Sequence, residues 1–148
     1  MPHSIAESLI ADLKQEGAMT RAVLAAVPAD KLDWQPHEKS MTLGTLASHI
    51  AETPSWLGSM MEDVFDFGAM MAEYKPFAAA DSDELLAAFD ENLAGATALL
   101  EGKDDDFMTG LWKGVKGDKE LMAGPRAAMA RSICVVMKPR TRLALAPI

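Results

Sequence analysis

The sequence predicts an all-α protein built as a four-helix bundle, and three observations carry that expectation. Apolar residues recur at three- and four-residue steps in four separate stretches, the spacing that puts them on one face of a helix. The first three stretches each open on a residue suited to cap a helix: Ser4, Thr42 and Asp81. Strand signals are nearly absent, with no period-two run of β-branched residues and no hairpin dipeptide between strand-like stretches. The whole chain, 1–148, is expected to form a single domain.

The elements follow in order. Ser4-Ile5-Ala6-Glu7 has capping-box spacing, so a first helix starts there, with Ile5, Leu9, Leu13, Val23 and Val27 as its apolar stripe and Pro28 as its end. A connection of residues 29–41 carries Trp34, Pro36 and His37, with a short helical turn expected around Pro28 to Leu32. Thr42 caps a second helix whose stripe runs through Leu43, Leu46, Ala47, Ile50, Leu57, Met60, Met61 and Val64. Pro54 lies inside it and removes an N–H, so a kink is expected near residues 49–54. Residues 68–80 suggest an irregular crossover, and Asp81-Ser82-Asp83-Glu84 opens a third helix with Leu85, Phe89, Leu93, Ala96 and Leu100 inward. Residues 102–124 form a polar, glycine-containing connection anchored by Phe107, Leu111 and Trp112, and Pro125-Arg126 starts a fourth helix that Pro139 interrupts.

Charge narrows the function. Residues 1–120 hold 9 basic and 22 acidic residues, a balance of -13, whereas residues 121–148 hold +5. A body this acidic repels phosphate backbones, and five dispersed cations without interleaved aromatics make no nucleic-acid footprint. No apolar run approaches the roughly 18 residues of a membrane span, so no membrane association is expected. The lone Cys134 suits a reducing compartment, and with no leader segment a cytoplasmic location is the expectation.

Few residues can carry chemistry. Of the three His, His3 precedes the first cap and His37 sits in the loop beside Pro36. His49 lies within the second helix, on or close to its inward face, one turn before Pro54, with Glu52 and Thr53 three and four residues on and Trp56 two turns on. His49 suits either a core imidazole with a hydrogen-bonded ring or a metal ligand, and Glu52, Thr53 and Trp56 are its candidate pocket companions. Met60, Met61, Met70 and Met71 suit core filler or a yielding apolar pocket. The glycines form neither a P-loop nor a dinucleotide fingerprint, and no Ser sits in a nucleophile elbow.

The stretch Trp34-Gln35-Pro36-His37-Glu38-Lys39-Ser40-Met41-Thr42-Leu43-Gly44-Thr45-Leu46-Ala47-Ser48-His49-Ile50 resembles the signature of the DinB-like (DinB/YfiT) family, in which a Trp-x-Pro loop leads into a helix bearing an inward His. The resemblance covers residues 1–134, and 135–148 form a divergent tail. It implies a four-helix bundle, often a homodimer, with a divalent metal such as zinc or nickel held by one His on helix 2 and two on helix 4. His49 matches the helix 2 position. The family's His-x-x-x-His on helix 4 has Val135 and Pro139 as its counterparts here, neither of which can donate to a metal, so the three-His site is incomplete. The tail is compatible with natural loss of the site or with a shifted reading frame. Relatives include thiol transferases and a maleylpyruvate isomerase group, which implies a small-molecule or thiol ligand.

Three functional readings follow: a relative of these metal-dependent enzymes with weak or no metal-dependent catalysis, a metal-free small-molecule-binding or interaction module, and an enzyme whose metal site is completed by Glu52 or a second chain.

Overall fold

In the computed structural model, residues 3–137 are described. Helix α1 (Ile5–Ala25) begins with the capping box: the Ser4 hydroxyl accepts from the Glu7 N–H at 3.1 Å, and the Glu7 carboxylate accepts from the Ser4 N–H at 2.8 Å. A 3-10 turn, Ala29–Lys31, follows Pro28. The loop after it is pinned to the next helix by Leu43 N–H to Trp34 C=O and Gly44 N–H to Leu32 C=O, both 2.8 Å.

Helix α2 (Leu43–Glu52) starts at Thr42, whose hydroxyl accepts from the Thr45 N–H. At the place of the expected kink the chain tightens after Glu52 into a 3-10 helix, Thr53–Met60. The expected disturbance at Pro54 thus takes the form of a change in helical pitch. The 3-10 register would pair the Ala51 carbonyl with the N–H that Pro54 lacks. The Asn92 side-chain amide donates to that carbonyl instead, at 2.9 Å.

The four-helix, all-α expectation is corrected by what lies between the helices. Strand β1 (Val64–Asp66) runs directly into a short helix α3 (Phe67–Glu73). After α4 (Ser82–Leu100, capped by Asp81) and the single-turn α5 (Asp105–Thr109) come strands β2 (Leu111–Lys116) and β3 (Lys119–Pro125), then α6 (Arg126–Val136). The three strands form a mixed sheet in the order β1-β2-β3, with β1 parallel to β2 through Val64 opposite Lys113 and β3 antiparallel to β2. The crossover and the polar connection expected over 68–80 and 102–124 therefore contain a helix, a helical turn and a hairpin. The hairpin closes between Lys116 and Lys119 through Gly117-Asp118, with Gly117 at φ +60, the glycine-first pattern of a two-residue hairpin turn. The expected break of the last helix at Pro139 lies outside the described residues.

The helices build the core in two joined clusters. Leu9, Leu13, Leu57, Leu100, Met108 and Ile133 fill one end, and Leu24, Leu43, Ile50, Leu85 and Phe89 the other, with Leu93 touching both. The sheet is joined to this core by Trp112, which is fully buried and donates its indole N–H to the Ser59 carbonyl at 2.9 Å.

Arg126 completes the join. Its side chain is 2% exposed, yet each of its three nitrogens donates: Nε to the Met60 carbonyl at 2.8 Å, Nη1 to the Phe107 carbonyl at 2.7 Å, and Nη2 to Asp63 Oδ1 at 2.6 Å and the Glu62 carbonyl at 3.3 Å. Its plane also lies 4.1 Å from the Phe107 ring centroid. Arg126→Met retains the bulk but strands the Met60 carbonyl without a donor and leaves the Phe107 carbonyl with the Gly110 N–H alone. It is expected to lower unfolding free energy by about 2–4 kcal/mol, read from the denaturant midpoint at an unchanged slope. A loss below about 1 kcal/mol would show that water replaces the fork at no cost.

Candidate functional site

The pitch change at Pro54 keeps one line of side chains in register. Thr45, His49, Glu52, Trp56 and Ser59, spaced four, three, four and three residues apart, all line a cavity of about 660 Å³. The core residues Ala47, Ile50, Ala51 and Leu57 lie between them in sequence and are buried, as is Leu43 at the helix start. His49 thus belongs to the cavity-facing line and not to the core stripe.

The opposite wall comes from β1, α3 and the loop after α3, and its residues from 68 on belong to the stretch that the sequence suggested was an irregular crossover. Phe65 on β1, Phe67 and Met70 on α3, and Tyr74 and Phe77 in the following loop all face the cavity. Phe65 and Phe67 meet edge to face with ring centroids 5.0 Å apart. Phe67 is held close to the sheet because Gly114 on β2 has no side chain, and a Cβ there would stand 2.6 Å from Phe67 Cε2. Asp66 starts α3 by accepting from the Gly68 and Ala69 N–H groups at 2.8 and 3.2 Å. Those N–H contacts, the one from Ala69 foremost, hold its carboxyl below the usual range.

Within the cavity the polar groups cluster. The His49 ring meets Trp56 edge to face, centroids 5.0 Å apart at 67°. Glu52 Oε2 accepts a hydrogen bond from the Tyr74 hydroxyl at 2.6 Å, which ties α2 to the loop after α3. Burial, reinforced by the Glu52 carboxylate as hydrogen-bond acceptor and as a nearby negative charge, pushes the Tyr74 hydroxyl up from 10.0 to about 12. Thr53 stands apart from this group. It is fully buried, its hydroxyl donates to the His49 carbonyl at 2.8 Å, and it does not line the cavity. Of the candidate pocket residues, the fold brings His49, Glu52 and Trp56 together and uses Thr53 to brace the helix beneath them. Met70 and Met71 line the cavity, whereas Met60 and Met61 pack against the core.

The donor set does not fit the three-His metal that the sequence resemblance implies. Among the described residues no group of three His, Cys, Asp or Glu is placed to hold a metal ion. Val135 is 62% exposed, and the buried face of α6 runs through Arg126, Ala130, Ile133, Cys134 and Met137. Cys134 sits in the core cluster with Leu9 and Leu13, where burial raises its thiol pKa, with the Asp12 charge adding to the effect. Pro139 lies outside the described residues, and a proline side chain has no donor atom at any position. No residue after Glu120 other than Cys134 is a His, Cys, Asp or Glu.

A family model of the DinB superfamily matches residues 12–130, and the chain belongs to that superfamily. Among solved structures, a mycothiol-dependent maleylpyruvate isomerase has a similar fold, with a TM-score of 0.61 at 12% sequence identity. The likeness covers 93% of this chain and 58% of the isomerase chain, so this chain spans less than two thirds of that protein's length. No curated protein matches the sequence. Among the described residues, no helix is long and apolar enough to cross a membrane.

Tyr74 is the chain's single tyrosine, so its phenolate absorbance reports the cavity directly. Its folded pKa of about 12 lies above the 10.0 of an unperturbed Tyr, and between these values the folded chain keeps a proton that the unfolded chain loses. Tyr74 therefore adds stability that is fully present below pH 10.0 and lost as pH rises towards about 12. A spectrophotometric titration is expected to show the raised value, and Glu52→Gln to lower it. An ordinary titration in the folded protein would mean that Tyr74 is solvated and not bonded to Glu52.

Proposed function

We propose that this DinB-superfamily protein binds a small, largely apolar molecule in the cavity between α2 and α3, without a three-His metal centre. The observation that carries the reading is the joint one: an aromatic-lined cavity of about 660 Å³ on which His49, Glu52 and Trp56 converge, and a single imidazole where a set of three His would be needed. A cavity of this size accommodates a drug-sized ligand, and the few polar groups at one side orient it. The similar isomerase depends on a thiol, so low-molecular-weight thiols and their aromatic conjugates belong among the ligands to be tried. The chain is cast here as a binding module within its superfamily, acting in the cytoplasm, alone or as a homodimer.

The test uses the neutral dye N-phenyl-naphthylamine, whose emission rises in an apolar site. One saturable equivalent is expected per chain. Thr45→Trp, which places an indole in the cavity, is expected to abolish binding, and Trp56→Ala to weaken it roughly tenfold through loss of aromatic contact. Wild-type binding in both variants would overturn the cavity as the site. In parallel, protein exposed to zinc or nickel and then dialysed is expected to keep no stoichiometric ion. One ion per chain that disappears in His49→Ala would overturn the metal-free reading.

A further inference from the structure

The cavity carries a charge asymmetry that specifies its ligand further. Its walls are aromatic and apolar on nearly every side, with Trp56, Phe65, Phe67, Tyr74 and Phe77 contributing π faces or edges. The one formally charged side chain in the lining is the Glu52 carboxylate. Neither Lys nor Arg lines the cavity among the described residues, and no described cation forms an ion pair with Glu52. One of its oxygens takes the Tyr74 hydroxyl at 2.6 Å, and no described group donates to the other. A carboxylate left without a counter-ion among aromatic rings is the electrostatic complement of an organic cation, which gains from the charge and from the ring quadrupoles together. An anionic ligand would meet that carboxylate with no Lys or Arg among the described lining residues to offset it.

We propose that the cavity selects an amphipathic organic monocation, an ammonium group on an aromatic or aliphatic body, with the ammonium against Glu52 and the body against Trp56 and the phenylalanines. The assignment rests on the cavity being the binding site, and its test separates the two. Three probes with one skeleton and different head groups are compared by calorimetry at neutral pH: phenylbutylamine, phenylbutanol and phenylbutyrate. The amine is expected to bind at least about tenfold more tightly than the alcohol, and the carboxylate more weakly than either.

In Glu52→Gln the amide keeps an acceptor for Tyr74, the preference for the amine is expected to fall to within about twofold, and the affinity of the alcohol to stay unchanged. Tyr74→Phe, which removes a hydroxyl but no charge, is expected to keep the amine preference. Equal binding of amine and alcohol by the wild-type protein, tighter binding of phenylbutyrate, or an amine preference that survives Glu52→Gln overturns the cation assignment and leaves the cavity reading standing. Failure of all three probes to bind, with N-phenyl-naphthylamine also unbound, overturns both.

Discussion

The guanidinium of Arg126 is the point on which the architecture turns. The bundle and the sheet meet where the 3-10 helix ends and β1 begins, and there the chain has lost the repeating hydrogen bonds of one element without yet gaining those of the other. Arg126 supplies donors to the Met60 and Glu62 carbonyls and to the Asp63 carboxylate, and it draws in the Phe107 carbonyl from α5. A charge this well buried is tolerable because each guanidinium nitrogen donates to an oxygen and one of those oxygens belongs to the Asp63 carboxylate. A lysine, with one point charge, could not make the same four-way junction. Because β1 leads directly into α3, fixing residues 60–63 also fixes where Phe65 and Phe67 enter the cavity wall.

The other wall depends on how the chain handles Pro54. A sharp kink would have swung Trp56 and Ser59 away from His49. The shift to 3-10 pitch preserves the line, because an i+3 repeat still returns side chains to nearly the same azimuth. The cost is the unpaired Ala51 carbonyl, met by Asn92 from α4. The cavity is therefore shaped by two local backbone deficits, each repaired by a side chain from elsewhere in the fold.

Much of the helical layer was legible. Ser4, Thr42 and Asp81 each carry a side-chain oxygen that a local N–H needs, and local chemistry is what sequence spacing encodes best. The sheet was not legible, for physical reasons. Strand β1 has three residues, too few for any periodicity, and its partner β2 lies 49 positions away at the Val64–Lys113 pairing. Strand β2 carries Gly114 where a branched residue would have announced a strand, because Phe67 occupies that space. The signal that was present is Gly117-Asp118, two residues between Trp112-Lys113-Gly114-Val115-Lys116 and Lys119-Glu120-Leu121-Met122. Half of the site followed the same division. His49, Glu52 and Trp56 share a helical repeat and could be grouped from spacing, whereas Phe65, Phe67, Tyr74 and Phe77 come from a three-residue strand, a short helix and a loop whose positions tertiary contacts decide. Thr53 shows the limit of spacing itself: four residues from His49, its hydroxyl returns to the His49 carbonyl, the bond an i+4 threonine makes within its own helix.

Replacing a metal-ligand set by aliphatic residues changes more than the count of ligands. A divalent ion would be the largest charge in such a cavity and would make it attractive to anions, thiolates and carboxylates among them. With His49 as the single imidazole and Val135 turned out to solvent at 62% exposure, the donors on this chain cannot supply that positive centre. What remains among the described lining residues is Glu52, the one formally charged side chain there. The electron-rich faces of the aromatic walls add to its attraction for a cation. Among the described residues no imidazole on α6 joins His49, so the carboxylate of Glu52 is the charge that a ligand in this lining would meet first.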